Sequence, residues 1–474
     1  MGCAGCIVMS RDEPSDDDPA RETDGGAAPP HDIHRKPRGS WKFMFRALGS
    51  RNYRLFFTGQ LISLVGIWLA NLAMAWLVYR LTGSALLLGT VAFCAQVPAF
   101  LVGPFAGVML DRWDLRRVLL ITQALMMAIT FTLAVITLTG VVQVHHLMLL
   151  AVAQGLVNGF DLPARQSFVV QLVEKREDLG NAIALNSSMF NSARLLGPSI
   201  GGILIAWLGE GACFLINGCT YTAVITGFLL IRVPTGERPG QARRVLAELR
   251  EGVAYAWGFK PIRATLMLLA LTSLLGAPYT VLLPVFANDI LAGGAATFGV
   301  LSAATGVGAL IGAFMLAARK TVVGIGSWIV GGAVLFGLAL VAFSQSRVLW
   351  LSVPLLVLSG MGMILSVASS NTILQTIVED EKRGRVMSLF TMSFMGMMPL
   401  GSLIAGTLAS PARLGAPATL AVGGALVALS GAYFATQLPR LRLLVRPIYL
   451  ERGLIPEVTT GVQAATALRM PPRG

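Results

Sequence analysis

Two charged residues and a proline interrupt an otherwise apolar stretch of the chain, between residues 147 and 173. Its segment 158 to 168 reads NGFDLPARQSF, which places Asp161 and Arg165 four residues apart. Residues with this spacing share one face of a helix, so the carboxylate and the guanidinium can form an ion pair, although Pro163 perturbs that geometry. Because a charge inside a membrane costs about 3 kcal/mol or more, such residues usually pair with each other or carry protons.

A second arginine can reach the same carboxylate from the following apolar run. At about 1.5 Å of rise per residue, Asp161 lies about 18 Å and Arg194 about 21 Å from the ends of their runs. With Arg165 and Arg194 as candidate partners, Asp161 is expected to remain ionised. Two interpretations stay open: a fixed ion-pair network that joins two helices, or a carboxylate that takes up a proton whenever movement separates it from an arginine.

The composition of the chain identifies the environment that these charges must tolerate. Among its 474 residues 55% are apolar and 13% are charged, against about 25% charged residues in a typical soluble protein. The formal charge of +13 comes from Lys and Arg in short connectors, a pattern that orients membrane helices and does not form a nucleic-acid surface. We therefore expect a multi-pass protein in a lipid bilayer, with no nucleic-acid partner.

Twelve apolar segments are long enough to cross a bilayer as helices, and they lack the alternation of membrane β-strands. The sequence predicts an all-α membrane protein of two pseudo-symmetric six-helix bundles, with spans near 54–79, 86–110, 117–139, 146–172, 180–208, 211–232, 264–288, 294–318, 325–345, 348–375, 385–410 and 414–437. The predicted domains are a disordered cytoplasmic tail at 1–50, an N-terminal bundle at 51–232, a linker at 233–263, a C-terminal bundle at 264–439 and a cytoplasmic tail at 440–474.

The distribution of basic residues predicts the orientation of the spans. Connectors on one side carry only Arg80, Arg347 and Arg413, whereas the other side carries clusters such as RWDLRR from Arg112 and EKRGR from Glu381. Because Lys and Arg are enriched on the cytoplasmic side of membranes, both termini are predicted to be cytoplasmic.

The two halves of the chain repeat each other at a fixed offset. When Gln171 is aligned with Gln375, the segment QLVEKREDLGNAIAL falls on QTIVEDEKRGRVMSL. The same offset aligns glycines in pairs, Gly180 with Gly384, Gly197 with Gly401 and Gly202 with Gly406. This duplication implies two parallel six-helix halves.

The segment between the halves predicts a helix on the membrane surface. In ARRVLAELREGVAYAWGFKPIR, apolar residues from Val245 to Trp257 fall on one helical stripe, while Arg250 and Glu251 lie elsewhere. An amphipathic helix of this kind lies in the membrane interface, and here it would tether the two halves.

Twelve spans, a six-plus-six repeat and a central linker resemble the major facilitator superfamily, in particular its bacterial siderophore and drug exporters of the enterobactin-exporter type. The segment GVMLDRWDLRR is similar to the family signature G-x-x-x-D-R-x-G-R-[RK], with Asp114 in place of a glycine. The resemblance implies a conformational latch of Gly107, Asp111, Arg112, Arg116 and Arg117. In this latch Asp111 would face the start of the eleventh span near Gly384 and hold the cytoplasmic side shut. The alternative is an ordinary positive-inside turn.

Two further motifs carry the resemblance. The segment GPSIGG in the fifth span is similar to the antiporter motif of exporting branches, which implies a kink and tight packing at Gly197, Pro198, Gly201 and Gly202. The fourth span resembles the R-x-x-Q-G pattern, but Ala151 stands where the family carries a proton-coupling arginine. No mechanism is carried over at that residue, and Asp161 is the proton-coupling candidate.

The resemblance and the polar residues together predict a transporter. Polar groups inside a membrane bundle usually face a cavity or a neighbouring helix, and the cavity candidates are Gln60, Asn71, Asn158, Asn191, Asn217 and Tyr279. We expect alternating access and proton antiport, with export of an amphipathic small molecule, drug-like or siderophore-like, by a monomer in a bacterial inner membrane.

Other functions stay open as alternatives: an importer or lipid facilitator of the same fold, a channel, or a membrane receptor or scaffold without transport. An enzyme or a nucleotide-driven pump is not expected, because the sequence has no phosphate-binding loop and no Ser-His-Asp arrangement. No cofactor or metal is expected either, since the five cysteines and four histidines lack ligand spacing.

Overall fold

The described part of the chain forms twelve helices long enough to cross a membrane. The computed structural model describes residues 46 to 110, 112 to 173, 178 to 232, 245 to 319, 321 to 452 and 454, and within these residues it contains no β-strand. The spanning helices are α1 (Arg51–Thr82), α2 (Ala85–Leu110), α3 (Leu115–Leu138), α4 (Val144–Leu172), α5 (179 to 208), α6 (210 to 230), α7 (Lys260–Ile290), α8 (Gly294–Ala317), α9 (Ile325–Gln345), α10 (Leu349–Ile377), α11 (Asp380–Leu408) and α12 (Gly415–Glu451). A short 3-10 turn, Arg46–Gly49, precedes α1, and a linker helix, Val245–Gly258, lies between α6 and α7.

Helices α5 and α6 meet without a loop at a single glycine. Gly209 has φ 79° and ψ 173°, a backbone conformation open only to glycine, and this residue reverses the direction of the chain. The next residue, Glu210, is buried and accepts a hydrogen bond of 2.7 Å from Nε of Arg80 at the end of α1. The break at Gly209 therefore turns one 52-residue helical segment into two spans.

The helices form two bundles with the same internal packing. In the N-terminal half α1 packs on α5, α2 on α4, and α3 on α6, while in the C-terminal half α7 packs on α11, α8 on α10, and α9 on α12. Each pair in the second half is the counterpart, six helices later, of a pair in the first. The structure thus confirms the predicted all-α fold of two pseudo-symmetric six-helix bundles.

One end of the bundle carries the linker helix, and we call it the linker end; the opposite end, which carries the α1–α2 turn and Gly209, is the far end. At the linker end Gly252 packs on Arg385 of α11, and Glu251 forms an ion pair of 3.0 Å with Arg385. Lys382 lies 4.5 Å from the centre of the Tyr255 ring. The linker helix contacts the C-terminal bundle through this face, while Val253 and Trp257 on its apolar stripe stay exposed.

Helix α12 is longer than the sequence predicts. Its span was expected to end near 437, but the helix continues through Pro439 to Glu451. Leu441 and Val445 on the extension are buried, and Val445 belongs to the apolar cluster that contains Ile262 at the start of α7. Burial against the C-terminal bundle stabilises these turns although they lie beyond the apolar run.

Helices α7 and α11 are irregular where they meet. Thr272–Gly276 in α7 and Met392–Gly396 in α11 form π-helical turns, which occur often at functional sites. Gly401 of α11 lies directly against the carbonyl oxygen of Leu274, so only a glycine fits at this crossing. Gly396, at the end of the α11 turn, also packs on Phe100 of α2 in the N-terminal half.

Candidate functional site: the central cavity

A cavity of about 460 Å³ lies between the two bundles, within the size range of small-molecule sites. Ten of the twelve helices line it: α1 to α6 from the N-terminal half, and α7, α8, α10 and α11 from the C-terminal half. Most of the wall is apolar, with Trp68, Phe298, Met363 and Met398 among its larger side chains. Amide, hydroxyl and guanidinium groups interrupt it at Asn71, Gln96, Gln154, Asn158, Arg194, Tyr221, Thr280, Ser302 and Thr305.

Two crossings of glycine on glycine close the cavity toward the far end. A Cβ placed on Gly202 of α5 would stand 2.6 Å from the Cα of Gly299 in α8. A Cβ placed on Gly406 of α11 would stand 3.0 Å from the Cα of Gly89 in α2. Gly202 and Gly406 are one of the pairs that the sequence repeat aligns, so both crossings belong to one pseudo-symmetric arrangement. Side chains larger than hydrogen would hold the halves apart here.

Side chains of α1, α7 and α8 add to this closure. The ring of Trp76 stacks on Phe298 at a centroid distance of 6.1 Å. The hydroxyl of Tyr79 donates a hydrogen bond to the Oδ2 of Asp289, which joins α1 to the far end of α7. These contacts link the N-terminal bundle to the C-terminal bundle.

Toward the linker end, Gly107 of α2 and Gly384 of α11 make no such crossing with a described residue. Helices α2 and α11 touch at Phe100 and Gly396 halfway along their length. About two to three turns further on, a Cβ placed on Gly107 of α2 or on Gly384 of α11 would meet no described atom within 4 Å. Asp111, the residue expected to face the start of α11, lies outside the described residues.

The signature loop binds its own bundle. Arg116 donates hydrogen bonds of 2.8 Å to the carbonyl oxygens of Phe228 and Leu229, at the end of α6. Arg117 forms an ion pair of 3.6 Å with Asp114, and Arg112 is exposed. Of the basic residues of the expected latch, Arg116 therefore joins the loop to α6 of the same half.

Asp114, the departure from the family signature, caps α3. Its Oδ1 accepts hydrogen bonds from the backbone N–H groups of Arg116, at 2.9 Å, and Arg117, at 3.3 Å. Asp114→Ala should lower the free energy of unfolding by about 1 kcal/mol, as expected for loss of an N-cap. Asp114→Asn keeps the acceptor and serves as the control in chemical denaturation of the purified protein. Equal loss in both variants would contradict a capping role.

Asp161 lies in a network that satisfies its carboxylate completely. Only 1% of its surface is exposed, and its Oδ1 accepts hydrogen bonds from Thr122 (2.8 Å) and Gln123 (2.7 Å) of α3. Its Oδ2 pairs with Nη2 of Arg165, whose Nη1 donates to Gln60 at 3.0 Å. Thr122 and Gln123 were not anticipated from the sequence, because a hydrogen bond between separate helices leaves no local pattern.

Arg194 does not join this network, contrary to the expectation from its depth. It lines the cavity on α5, and within the described part of the chain it takes part in none of the ion pairs. Depth along a helix does not determine the direction of a side chain. Asp161 faces α3, whereas Arg194 faces the cavity and α8, where Gly306 packs on the main chain of Arg194.

The predicted cavity residues separate into two groups. Asn71 and Asn158 line the cavity. Gln60 and Asn217 are buried outside the cavity. Gln60 lies beside Arg165, and Asn217 of α6 packs against Gly66 of α1. Tyr279 is also buried and packs edge-on against Phe336. The side chain of Asn191 lies outside the described part of the structure.

The GPSIGG segment forms the contact surface of α5. Gly197 packs on Trp68 and Gly201 on Leu69 and Leu72, all three of them on α1, while Gly202 crosses α8. Pro198 lines the cavity. Small residues at these positions let α5 approach helices of both halves at once.

Comparisons with known proteins agree with this architecture. The profile of the family described as transmembrane secretion effectors matches residues 44 to 444. The staphyloferrin A transporter of Staphylococcus aureus (strain NCTC 8325 / PS 47) is 26% identical over 354 residues, 74% of this chain and 88% of that protein. The multidrug efflux pump Tap of Mycolicibacterium fortuitum is 27% identical over 389 residues, 80% of this chain and 91% of that protein.

Solved structures resemble the fold as well. A crystal structure of the nucleoside transporter NupG superposes with a TM-score of 0.62 at 13% identity, over 82% of this chain and 99% of that one. Twelve spanning helices in two repeated bundles, a cavity between them and the family profile lead to one assignment. The chain belongs to the major facilitator superfamily, within its family of transmembrane secretion effectors.

Proposed function

We propose that the protein is a secondary active transporter that exports an amphipathic small molecule from a bacterial cell by alternating access. The observation that carries this proposal is the cavity between the bundles, with close contacts toward the far end and open space around Gly107 and Gly384 toward the linker end. If this open space reaches the cavity, a molecule enters it from the linker end. Export then requires the two bundles to tip about the cavity until the far end opens.

The orientation that we propose places the linker end and both termini in the cytoplasm. Basic residues support it, because connectors at the far end carry Arg347 and Arg413 whereas those at the linker end carry clusters around Arg116 and Arg383. The cavity would therefore load from the cytoplasm. The name of one relative, a multidrug efflux pump, supports the same direction. The name of another, a staphyloferrin A transporter, supports an organic cargo.

We propose that Asp161 couples transport to the proton gradient. Among described residues it is the acidic side chain that lies at mid-depth in the N-terminal bundle, one helical turn from Asn158 in the cavity wall. In the present conformation it forms an ion pair with Arg165. A movement of α4 against α3 that withdraws Thr122 and Gln123 from Asp161 would favour its protonated form, because a buried carboxylate that loses its hydrogen-bond donors is costly.

Uptake into inverted membrane vesicles tests this function. In such vesicles the linker end faces the medium, so an acidic lumen should drive saturable accumulation of at least one compound from a panel of dyes, antibiotics and siderophores. A protonophore should abolish the accumulation. Accumulation in vesicles of native orientation would show that transport runs into the cell. Flux that does not saturate with substrate concentration would indicate a channel. An absence of flux in every arrangement would remove the transporter proposal.

A further inference from the structure

Arg194 is the charged side chain of the cavity wall. The other described residues that line the cavity are apolar, or carry neutral amide and hydroxyl groups, so the wall as described holds a single positive charge. The nearby pair of Asp161 and Arg165 is neutral as a unit and lies outside the wall. A molecule in the cavity therefore meets one guanidinium without a compensating carboxylate.

The environment of Arg194 gives its charge little compensation. Its side chain is only partly exposed, and no described residue forms an ion pair or a hydrogen bond with its guanidinium. Arg165, the other arginine at this depth, contrasts with it, since Arg165 is bonded to both Asp161 and Gln60. A cation within a membrane bundle is costly unless it has a partner, and such residues mark substrate pathways.

Hydroxyl groups of the C-terminal bundle line the same cavity as this guanidinium. Gly306 lets the main chain of α5 approach α8, with the carbonyl oxygen of Arg194 3.6 Å from a Cβ placed on Gly306. The preceding residue, Thr305, and Ser302 one turn away both line the cavity. The buried hydroxyl of Tyr279 lies beside Thr305 and within electrostatic reach of Arg194.

We propose that Arg194 binds a carboxylate of the transported molecule, so that the substrates are amphipathic organic anions. A guanidinium binds a carboxylate through two parallel hydrogen bonds, and the hydroxyl of Ser302 in the cavity wall can donate to the same oxygens. One arginine without a second cation matches the single charge of a carboxylate better than the double charge of a phosphate. The apolar wall formed by Trp68, Phe298 and Met363 takes the remainder of the molecule.

The anion site rests on the proposed function only in that the molecule bound there is also transported. Binding itself is measured without transport. The purified full-length protein is titrated with a fluorescent amphipathic acid, N-dansyl-leucine, and with its neutral methyl ester. The wild-type protein should bind the acid about tenfold more tightly than the ester, or better, because only the acid forms charge-assisted hydrogen bonds.

Variants of Arg194 separate charge recognition from general damage. Arg194→Gln should weaken binding of the acid by about tenfold to hundredfold and leave the ester unchanged. Arg194→Lys keeps the charge but not the paired hydrogen bonds, so its affinity for the acid should be intermediate. Arg413→Gln, at an exposed position of the far end, removes one positive charge away from the cavity and should bind like the wild type.

Several outcomes overturn the proposal. Equal affinity of the wild type for acid and ester does so, and so does an equal loss of both ligands in Arg194→Gln. Binding of the ester reports whether a variant is folded. If Arg194→Lys keeps its affinity for the ester, the arginine site tolerates substitution, and the result for Arg194→Gln then decides the proposal. If vesicles transport cations or esters but the protein does not discriminate the acid, the transporter stands and the anion site fails. If the acid binds through Arg194 but nothing is transported, the anion site stands and the transporter fails.

Discussion

Asp161→Asn is expected to lower the free energy of unfolding by about 3 to 5 kcal/mol, because it leaves a buried guanidinium without its anion. Arg165 is 18% exposed at its side chain and retains only the hydrogen bond to Gln60 in this variant. Asparagine can still accept the hydrogen bonds from Thr122 and Gln123, so loss of the charge is the dominant change. Thermal or chemical unfolding of the purified protein measures the effect, and pH-driven export should be lost as well.

A matched set of variants distinguishes the structural role of the pair from proton coupling. Arg165→Gln should be similarly destabilising, whereas Asp161→Asn combined with Arg165→Gln removes both charges and should recover most of the stability. If the double variant is stable but no longer couples flux to the pH gradient, Asp161 carries the proton. Normal coupled export by the double variant would assign the pair to folding alone.

Gly202→Ala is expected to destabilise the conformation in which the far end is closed. Its new methyl group would stand 2.6 Å from the Cα of Gly299, and backbone on both sides limits relaxation. Overpacking of this kind costs about 1 to 3 kcal/mol, which changes the ratio of closed to open molecules by about fivefold to 150-fold. Reactivity of a cysteine introduced in the cavity wall at Ser302 toward a reagent added at the far end measures the shift.

Two further glycines serve as the controls. Gly406→Ala should act in the same direction as Gly202→Ala, because its methyl group meets Gly89 at the pseudo-symmetric crossing. Gly331→Ala on α9 meets nothing within 4 Å and should leave the reactivity unchanged. If Gly202→Ala behaves like Gly331→Ala, the glycine crossing does not control closure of the far end.

The bundle architecture could be predicted because its determinants are local or repeated in the sequence. Span lengths follow from the run of apolar residues, and the duplicated glycines, such as Gly202 and Gly406, reveal the two halves before any contact is known. The pairing of Asp161 with Arg165 could also be predicted, since four residues of one helix fix their relative position. The extension of α12 could not, because its burial depends on neighbouring helices.

The cavity was harder to predict, since it depends on how each helix is rotated about its axis. Counting residues gave similar depths for Asp161 and Arg194, yet they face different neighbours. Asn158 and Asn217 are both polar residues in apolar runs, but one lines the cavity and the other packs between helices. Asp289 was not considered, although an acidic residue at the end of a span is a signal for a contact such as the one with Tyr79.

The central claim is that the bundles tip about the cavity, and pulsed electron paramagnetic resonance tests it most directly. One spin-label pair, at Val141 and Val348, reports on the far end, and another, at Arg54 and Val323, reports on the linker end; all four residues are exposed. The labels require a background in which the five native cysteines are replaced. When substrate and a pH gradient are applied, the far-end distance should increase while the linker-end distance decreases. Distances that stay constant, or that change together in the same direction, would contradict the account.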